Sequence, residues 1–481
     1  MMGMLSWFPN GAFLSEPPMM MRIAYRFLVA GISILVISAG ALVAKTPGLQ
    51  VSLDLSQGFS FGDNLSASSE PTGDGFVSET DLAFSLTSET RRDSFQMDLG
   101  ARYKVGDLPD EGGWVNEIID PFAKLAYTRQ GRGSSFTIGY ATSKIELQDS
   151  VISLLDLDTL EVTDLVIEAG SRSDNRLNME FISGTDGPVE TSLSLRFDDR
   201  TYDSTDASLI DRKLWTFNGA VRLAATRNTD VVFSTRLSEE NREDANLTDF
   251  RNARYTVGIE TDIDPATRLV AGLGTSHISV DEGIGTARTT KDYDSLVGSF
   301  SLKRAVKNGT AEVKLESGHT RAGTRQTLRL TRAMDLPAGS LSFTAGGIWE
   351  ETGQTSALYE LAYTKAYKRA ALQANLDQVA SSNVSGQTFL NTSVKLRYVQ
   401  ELSVLSHLDL RVAFTDIRET SNAANGDSRR LSASASFNYS ITDDWMFTTG
   451  VRHTDTSSNG NTTLRSNELF ANVSRSFDLR F

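Results

Sequence analysis

Four histidines are the side chains in this chain best suited to metal binding or to acid–base chemistry. His277, His319, His407 and His453 are isolated from one another, and none belongs to an HxH or HxxxH pair of the kind that binds zinc. There is no cysteine, which excludes disulfides, thiolate metal ligands and cysteine nucleophiles. The sequence therefore predicts no catalytic residue, no metal site and no cofactor, although abundant serine leaves a hydrolase open as an alternative.

One acidic segment, 149–172, departs from the pattern of the chain around it. Asp156, Asp158, Glu161 and Asp164 stand there among leucine, valine and isoleucine. Three interpretations stay open: a loop that folds into a pore and narrows it, a hairpin that extends a wall or adds a strand pair, and a calcium site. The spacing and the glycine of an EF-hand are missing, which weighs against calcium.

The composition limits the class of protein. The chain has 481 residues, of which 40% are hydrophobic, and a mean hydropathy of -0.23, values that argue against a helical membrane protein. The net charge of -14 comes with no basic face, so we expect no nucleic-acid partner. Thirty-seven glycines against ten prolines indicate hairpin turns made by Gly, Asn and Asp.

The N-terminal region is predicted to direct secretion. Residues 1–21 resemble no folded unit and are a dubious extension, because a run of methionines at 19–21 offers a later start. Residues 22–44 combine two arginines, a long apolar run and small residues near its end, which together predict a cleaved signal peptide. A retained membrane anchor is the alternative, since the run is long enough to span a bilayer. Residues 45–481 are then the mature domain.

From Leu49 onward, apolar residues recur at every second position, which is the period of a strand with one apolar face. In the run from Phe95 to Val105, for example, Phe, Met, Leu, Ala, Tyr and Val alternate with Gln, Asp, Gly, Arg and Lys. The fuller runs are about ten residues long, enough to cross a bilayer as tilted strands. The pattern predicts an all-β fold of about 22 antiparallel strands, within a range of about 18 to 24.

The connections between these runs tend to alternate in length. Short connections such as 307–309 and 442–444 alternate with longer ones such as 62–75, 106–118 and 239–250. A soluble β-sandwich has no reason to alternate in this way, whereas a transmembrane barrel has short turns on one side and longer loops on the other. A soluble all-β protein with a polar outer face remains the alternative.

A sheet that crosses lipid must close on itself, because every backbone N–H and C=O needs a partner there. The polar phase of the strands must then face a water-filled interior. The residues predicted to line that pore are Arg102, Arg196, Arg222, Arg254, Glu260, Lys314, Arg397, Arg411 and Arg452.

The last thirteen residues form an alternating run that ends on an aromatic residue. Phe477, Leu479 and Phe481 share its apolar phase, and Arg475 falls on the same phase as an exception. We expect Arg475 to reach towards lipid headgroups or to mark a bulge that resets the phase. This C-terminal strand resembles the closing strand of Gram-negative outer-membrane β-barrels. The resemblance implies that Phe477, Leu479 and Phe481 are recognised by the barrel-assembly machinery.

That resemblance also implies a location and a function. We expect a single large barrel in the outer membrane, in contact with its lipid and lipopolysaccharide, that acts as a porin-like channel for diffusion or export of hydrophilic solutes. The barrel is also similar in style to porin-like barrels associated with exopolysaccharide synthesis, which would pass a glycan. The 22-stranded receptors energised from the inner membrane carry a plug domain, for which we expect no room here. A structural or adhesive barrel and an outer-membrane hydrolase are the alternatives.

Overall fold

The computed structural model describes the chain from residue 48 to residue 480 with several gaps, and almost every described residue lies in a β-strand. The described ranges are 48–65, 73–109, 112–146, 155–156, 161–162, 170–185, 187–203, 210–244, 247–283, 288–320, 323–351, 353–382, 388–419, 427–458 and 462–480. The strands are β1 (Leu49–Asp63), β2 (Asp74–Glu89), β3 (Asp93–Leu108), β4 (Gly113–Gly131), β5 (Ser134–Glu146), β6 (Leu155–Asp156), β7 (Glu161–Val162), β8 (Ser171–Ser183), β9 (Val189–Asp203), β10 (Arg212–Ala224), β11 (Thr229–Arg242), β12 (Asp249–Asp264), β13 (Thr267–Glu282), β14 (Thr289–Val306), β15 (Gly309–Thr320), β16 (Gly323–Leu336), β17 (Gly339–Glu350), β18 (Thr355–Ala366), β19 (Ala370–Ser382), β20 (Thr388–Glu401), β21 (Ser406–Glu419), β22 (Ser428–Ser440), β23 (Trp445–Ser458) and β24 (Thr462–Arg480).

All strands except β6 and β7 form one closed antiparallel sheet of 22 strands. Each strand pairs with its neighbours in the chain, and β1 pairs with β24 as well as with β2, so the sheet has no edge. The closing ladder runs from Gln50 opposite Arg480 to Asp63 opposite Asn467. The predicted all-β class, the antiparallel barrel and the strand number of 22 are confirmed.

The two faces of the sheet differ in the way that the period of two predicts. Fifty large hydrophobic side chains are exposed among the described residues, whereas only fourteen hydrophobic residues are buried. Leu273 and Leu296, on the outer face of β13 and β14, are 76% and 79% exposed. A water-soluble protein would bury most of these side chains, and most of them lie on one phase that continues from strand to strand around the barrel. We call this phase the outward phase and the alternate positions the inward phase.

The buried apolar residues form small clusters and not a central core. One cluster contains Phe250, Ile278 and Val280, and another contains Ile348, Leu358 and Ala380. In both clusters most members lie on the inward phase near the loop-side end of their strands. Strand pairing and lipid-facing surface, and not a packed interior, therefore account for the shape of the wall.

The connections confirm two unequal sides but correct the predicted strand length. On the side that carries both ends of the barrel, connections have two to five residues, and on the other side they have two to 24. The barrel strands have 12 to 19 residues, longer than the predicted ten or so. Much of the predicted loop 106–118 is strand, because β3 continues to Leu108 and β4 begins at Gly113. Beyond the bilayer both faces of a strand contact water, so the strand needs no apolar face there. Strand pairing continues in that region without the apolar alternation by which a strand is recognised in the sequence.

The predicted extension 1–21 and signal peptide 22–44 lie outside the described residues. The barrel begins at Leu49, within the predicted domain 45–481. A search of the described residues for a helix with the length and hydropathy to cross a bilayer finds none.

Arg475 keeps the outward phase without any bulge. Its Cα lies opposite Leu55 of β1 and opposite Trp445 of β23, and the ladder with β1 is unbroken on both sides of it. The guanidinium carbon lies 4.1 Å from the ring centroid of Phe477 and 5.2 Å from that of Trp445. Trp445 is the first residue of β23, at the short-turn end, so aromatic faces hold this cation near the edge of the apolar band. The predicted bulge is wrong, and an interfacial position accounts for the arginine.

The closing ladder can be tested with a disulfide, because the natural chain has no cysteine. Ser56 of β1 and Ser474 of β24 are register partners, and partners in antiparallel strands have Cα atoms about 5 Å apart, within disulfide range. The variant Ser56→Cys/Ser474→Cys should form an intramolecular disulfide on mild oxidation, measured as loss of free thiols.

A matched control pairs Ser56→Cys with Ser299→Cys on β14, eleven strands away around the ring. This control should keep both thiols free. An open sheet would give the opposite result for the first pair, since β1 and β24 would not be neighbours and no disulfide would form.

Candidate functional site: the inner wall of the barrel

The inward phase carries all nine residues that the sequence predicts to line a pore. Register transmits this phase from strand to strand, with irregularities only at Gly100/Arg102 and at Asp262/Asp264. Arg222 lies on the phase of Glu190, for example, and Arg452 on the phases of Ser434 and Glu468. That these residues line a conducting pore stays a prediction.

Four of the eight predicted cations are held by a carboxylate on an adjacent strand or on the next strand but one. Arg102 Nε donates to Asp81 at 2.7 Å, and Arg452 Nη1 donates to Glu468 at 3.0 Å. The carboxylate of Glu260 accepts from Arg222, on the second strand away, at 3.2 Å. These are charge-assisted hydrogen bonds, and they fix side chains that would otherwise be mobile in the interior of the barrel.

Carboxylates two residues along the same strand provide the other partners. Arg196 Nε donates to Asp198 at 2.5 Å, and Lys314 Nζ lies 2.8 Å from Glu316. Residues i and i+2 of a strand share a face, so a cation and a carboxylate at this spacing meet on the inner wall.

Asp409 is the most enclosed of the carboxylates that pair with the predicted pore-lining cations. Its Oδ2 accepts from Arg397 Nη2 at 2.8 Å and from Arg411 Nη2 at 2.6 Å, and its side chain is only 3% exposed. Arg397 and Arg411 are themselves register partners on β20 and β21. Two like charges would therefore face each other directly without the aspartate between them.

The alternation of the sequence predicts the cations of the inner wall but not their acidic partners Asp81, Asp198, Asp409 and Glu468. Part of the signal was present, because Arg196/Asp198 and Asp409/Arg411 are spaced two apart on the polar phase. The cross-strand partners needed the register, which the alternation alone does not supply.

Arg254 is the one predicted pore-lining cation that makes no ion pair in the described part of the chain. It lies opposite Arg236 on β11, in a concavity of about 350 Å³ in the inner wall. Hydroxyl and amide groups, among them those of Ser194, Asn218 and Thr256, line the same concavity. The surface offers a solute both hydrogen-bond donors and acceptors beside a positive charge.

The chain contains one GxSxG pentapeptide, residues 58–62, and its structure differs from a nucleophile elbow. An elbow needs a sharp turn from strand to helix, whereas β1 continues straight through these residues. Ser60 donates to Glu468 at 2.6 Å. His453, two strands away, lies on the outward phase and interacts with Asn467, so it does not face Ser60. Among the described residues, this serine therefore has a carboxylate partner but no histidine facing it.

The histidines do not come together. His277 Nδ1 lies 2.8 Å from Asp294 on the outward phase near the loop-side end, and His319 packs near the ring of Tyr293. Within the ranges described above, no three His, Asp or Glu side chains are grouped closely enough to hold a metal ion.

Only two short pieces of the acidic segment 149–172 precede the start of β8 in the described residues. They are β6 and β7, which pair with each other and not with the barrel sheet. Cα atoms of β7 lie within 8 Å of Cα atoms of β19, and β19 is eleven strands from β8 in a ring of 22. This placement favours a segment that crosses the barrel opening over one that extends the wall. The remainder of the segment, with Asp158 and Asp164, lies outside the described residues.

The predicted assembly residues lie at the closing seam. Phe477 is opposite Leu53 and Leu479 is opposite Val51, both on the outward phase, and both side chains are exposed. Phe481 lies outside the described residues. The role of these residues in assembly stays a prediction.

The comparisons with known proteins show the fold. No protein-family model matches the chain, and no curated protein matches it in sequence. Among solved structures it is similar to the ferric enterobactin receptor PfeA from Pseudomonas aeruginosa, with a TM-score of 0.55 and 10% identity, over 90% of this chain and 82% of the receptor. It is also similar to the ferric-catecholate import receptor Fiu from E. coli K12, with a TM-score of 0.58, 8% identity and the same coverage.

A third similar structure is the siderophore receptor PirA from Acinetobacter baumannii, with a TM-score of 0.53 and 10% identity, over 90% of this chain and 81% of the receptor. At such low identities the likeness concerns the fold alone. The chain thus has the fold of large outer-membrane β-barrels, which confirms the predicted architecture.

Removing the carboxylate of Asp409 should damage the inner wall. In Asp409→Asn, Arg397 and Arg411 lose their shared anion and face each other as like charges. We expect a loss of roughly 1 to 3 kcal/mol in the free energy of unfolding, measured by urea titration in detergent.

The control is Asp443→Asn, in an exposed turn between β22 and β23, which should change stability little. Equal stability of the two variants would contradict the structural role assigned to Asp409.

Proposed function

We propose that this protein is an outer-membrane channel that passes hydrophilic solutes across the bilayer. One observation carries the proposal: the outward phase of a closed 22-stranded sheet holds most of the fifty exposed large hydrophobic side chains, while the alternate face bears hydrogen-bonded polar and charged groups. Lipid is the environment that such an exterior suits, and water is the environment that such an interior suits. The fold likeness to outer-membrane receptors supports the same location.

The size of the ring supports passage of solutes larger than ions. Twenty-two strands about 4.8 Å apart and tilted by about 40° enclose a ring roughly 40 Å across between backbone atoms. Side chains from the wall are too short to fill such a width. All described strands except β6 and β7 belong to the wall.

The chemistry of the inner wall is compatible with the passage of hydrophilic solutes that are positively charged, negatively charged or neutral. Cations such as Arg102 and Arg222 are largely offset by carboxylates, so the inner wall carries charges of both signs. Diffusion and export of small polar solutes are equally compatible with it, and a glycan chain is one such solute. The hydroxyls, amides and Arg254 of the concavity in β9 to β12 are groups that hydrogen-bond sugars well.

The fold itself favours a second candidate, receptor-mediated uptake of a ferric chelate. The similar structures include one solved in complex with enterobactin and others described as siderophore receptors. Under this alternative the inner wall and loops would bind a compact ligand, and no open channel would exist in the resting protein.

The orientation follows from the connections. We place the short turns and both ends of the barrel in the periplasm, the longer loops outside, and the exterior against lipid and lipopolysaccharide. The closing strand, with Phe477 and Leu479, is then presented to the barrel-assembly machinery during insertion.

Conductance in planar bilayers tests the channel directly. Insertion of the purified protein should give stable single-channel steps, and liposomes that contain it should swell in small sugars at rates that fall with sugar size. A silent protein that binds a ferric catecholate would instead support the receptor, and a silent protein without such binding would support a structural or adhesive barrel.

The assembly role is tested at the closing strand. Phe477→Ser/Leu479→Ser removes two outward apolar groups and should reduce the folded outer-membrane fraction severalfold, measured as the form that migrates faster on gels before boiling. The matched variant Ser476→Ala, on the inward phase next to Phe477, should assemble normally. If both variants assemble equally well, the outward residues are not the signal.

A further inference from the structure

The turn-side rim of strands β14–β19 carries a run of positively charged side chains on the outside of the barrel. We call this run the basic arc. Three of its members lie on the outward phase of strands and three lie in the turns. They are Arg304, Arg332 and Lys365 on strands and Lys307, Lys368 and Arg369 in turns.

The strand members lie near the turn-side edge of the apolar band. Arg304 shares the outer face with Leu302, two residues away, and the same spacing relates Arg332 to Leu330. Lys365 stands in the same relation to Tyr363. The same face continues beyond Arg304 with Val306, and beyond Arg332 with Met334 and Leu336. The three cations therefore lie among the last apolar side chains on the turn side, where hydrocarbon gives way to headgroups.

None of the six cations has a carboxylate within salt-bridge distance in the described ranges. Arg332 is instead held by neutral acceptors, since Nη1 donates to the carbonyl of Thr310 at 2.9 Å and Nη2 donates to the amide oxygen of Asn308 at 2.5 Å. The ammonium of Lys365 lies 5.0 Å from the ring centroid of Tyr367. These contacts fix the positive charges without neutralising them.

Three acidic residues lie near the basic arc, and none makes an ion pair with it in the described ranges. Glu401, whose backbone N–H donates to the carbonyl of Arg369 at 2.8 Å, is on the inward phase of β20. Asp335 is on the inward phase, opposite Ser340. Asp264, the last residue of β12, accepts from the backbone N–H of Ala266 at 2.8 Å. That hydrogen bond, with a smaller contribution from Arg304, holds the pKa of the Asp264 carboxyl below its ordinary value. One ionised carboxylate therefore offsets at most one of six cations.

Outward cations at the loop-side end are arranged differently. Arg251 lies 3.3 Å from Glu239, and Arg429 lies 2.9 Å from Asp416. Lys213 lies 3.9 Å from Glu243. The protein as a whole has a net charge of -14, so six adjacent cations without carboxylate partners are not a consequence of composition.

We propose that the basic arc binds the phosphate groups of anionic phospholipids in the leaflet on the turn side of the barrel. Each Lys or Arg near an anionic lipid surface attracts it by about 1 kcal/mol. Arg332 offers a planar donor fork that suits a phosphate, while the turn lysines act as mobile point charges. The inference requires a barrel in a bilayer and holds whether or not the barrel conducts.

Native mass spectrometry of the whole protein in neutral detergent tests the proposal, with phosphatidylglycerol as the probe and phosphatidylcholine as the zwitterionic comparison. The wild-type protein should bind phosphatidylglycerol preferentially. In Arg304→Gln/Arg332→Gln/Lys365→Gln the apparent affinity should fall roughly fivefold for each cation removed, or about 100-fold. The matched control, Lys213→Gln/Arg251→Gln/Arg429→Gln, should change it less than about twofold.

Equal loss in the control variant, or no preference of the wild type for phosphatidylglycerol, would overturn the proposal. Displacement of the lipid by millimolar inorganic phosphate would also overturn it, by indicating a site for free phosphate. If the strand variant does not fold, Lys368→Gln/Arg369→Gln, confined to an exposed turn, should still lower the affinity by an order of magnitude. Unchanged affinity in this turn variant would count against the proposal.

Discussion

The whole structure depends on the hydrogen-bonded ladder between its first and last strands. A sheet with apolar side chains on one face and free backbone groups at its edges would be unstable in lipid, where an unpaired N–H or C=O has no partner. The ladder between β1 and β24 removes both edges at once, and it does so over fourteen register pairs. With the edges removed, the alternation of each strand becomes an inside and an outside of one object. Whether a charged side chain of a regular strand faces the interior or the exterior then follows from whether its position in that strand is odd or even.

Closure also determines how charge is distributed. On the inward phase most of the predicted cations have carboxylate partners along the strand or across the ladder, as Arg411 has Asp409. On the outward phase charges are confined to the two rims. At the loop rim most of the cations are paired, as Arg251 is with Glu239, and at the turn rim they are largely unpaired, as in Arg332 and Arg475. The asymmetry suits a protein with different surfaces at its two ends.

Much of this could be predicted from the sequence, because a strand crossing lipid has to alternate. The strand number, the faces and the inward position of residues such as Arg196 and Glu260 follow from counting in twos. What could not be predicted depends on register or on environment. The partner of Arg102 can be identified only once the register of β2 and β3 is known. The end of β3 at Leu108 could not be predicted either, because strand pairing continues beyond the bilayer, where the apolar alternation stops. Arg475 violates the alternation, and only the position of Trp445 at the edge of the band explains it.

The central claim is that successive residues of one strand alternately face lipid and water. Labelling of single cysteines along β10 tests this claim most directly. In liposomes that contain the otherwise cysteine-free protein, a water-soluble maleimide should label cysteine at Asn218 and Ala220 but not at Phe217 and Val221. Labelling of all four positions to the same extent, or labelling of Phe217 and Val221 alone, would contradict the account.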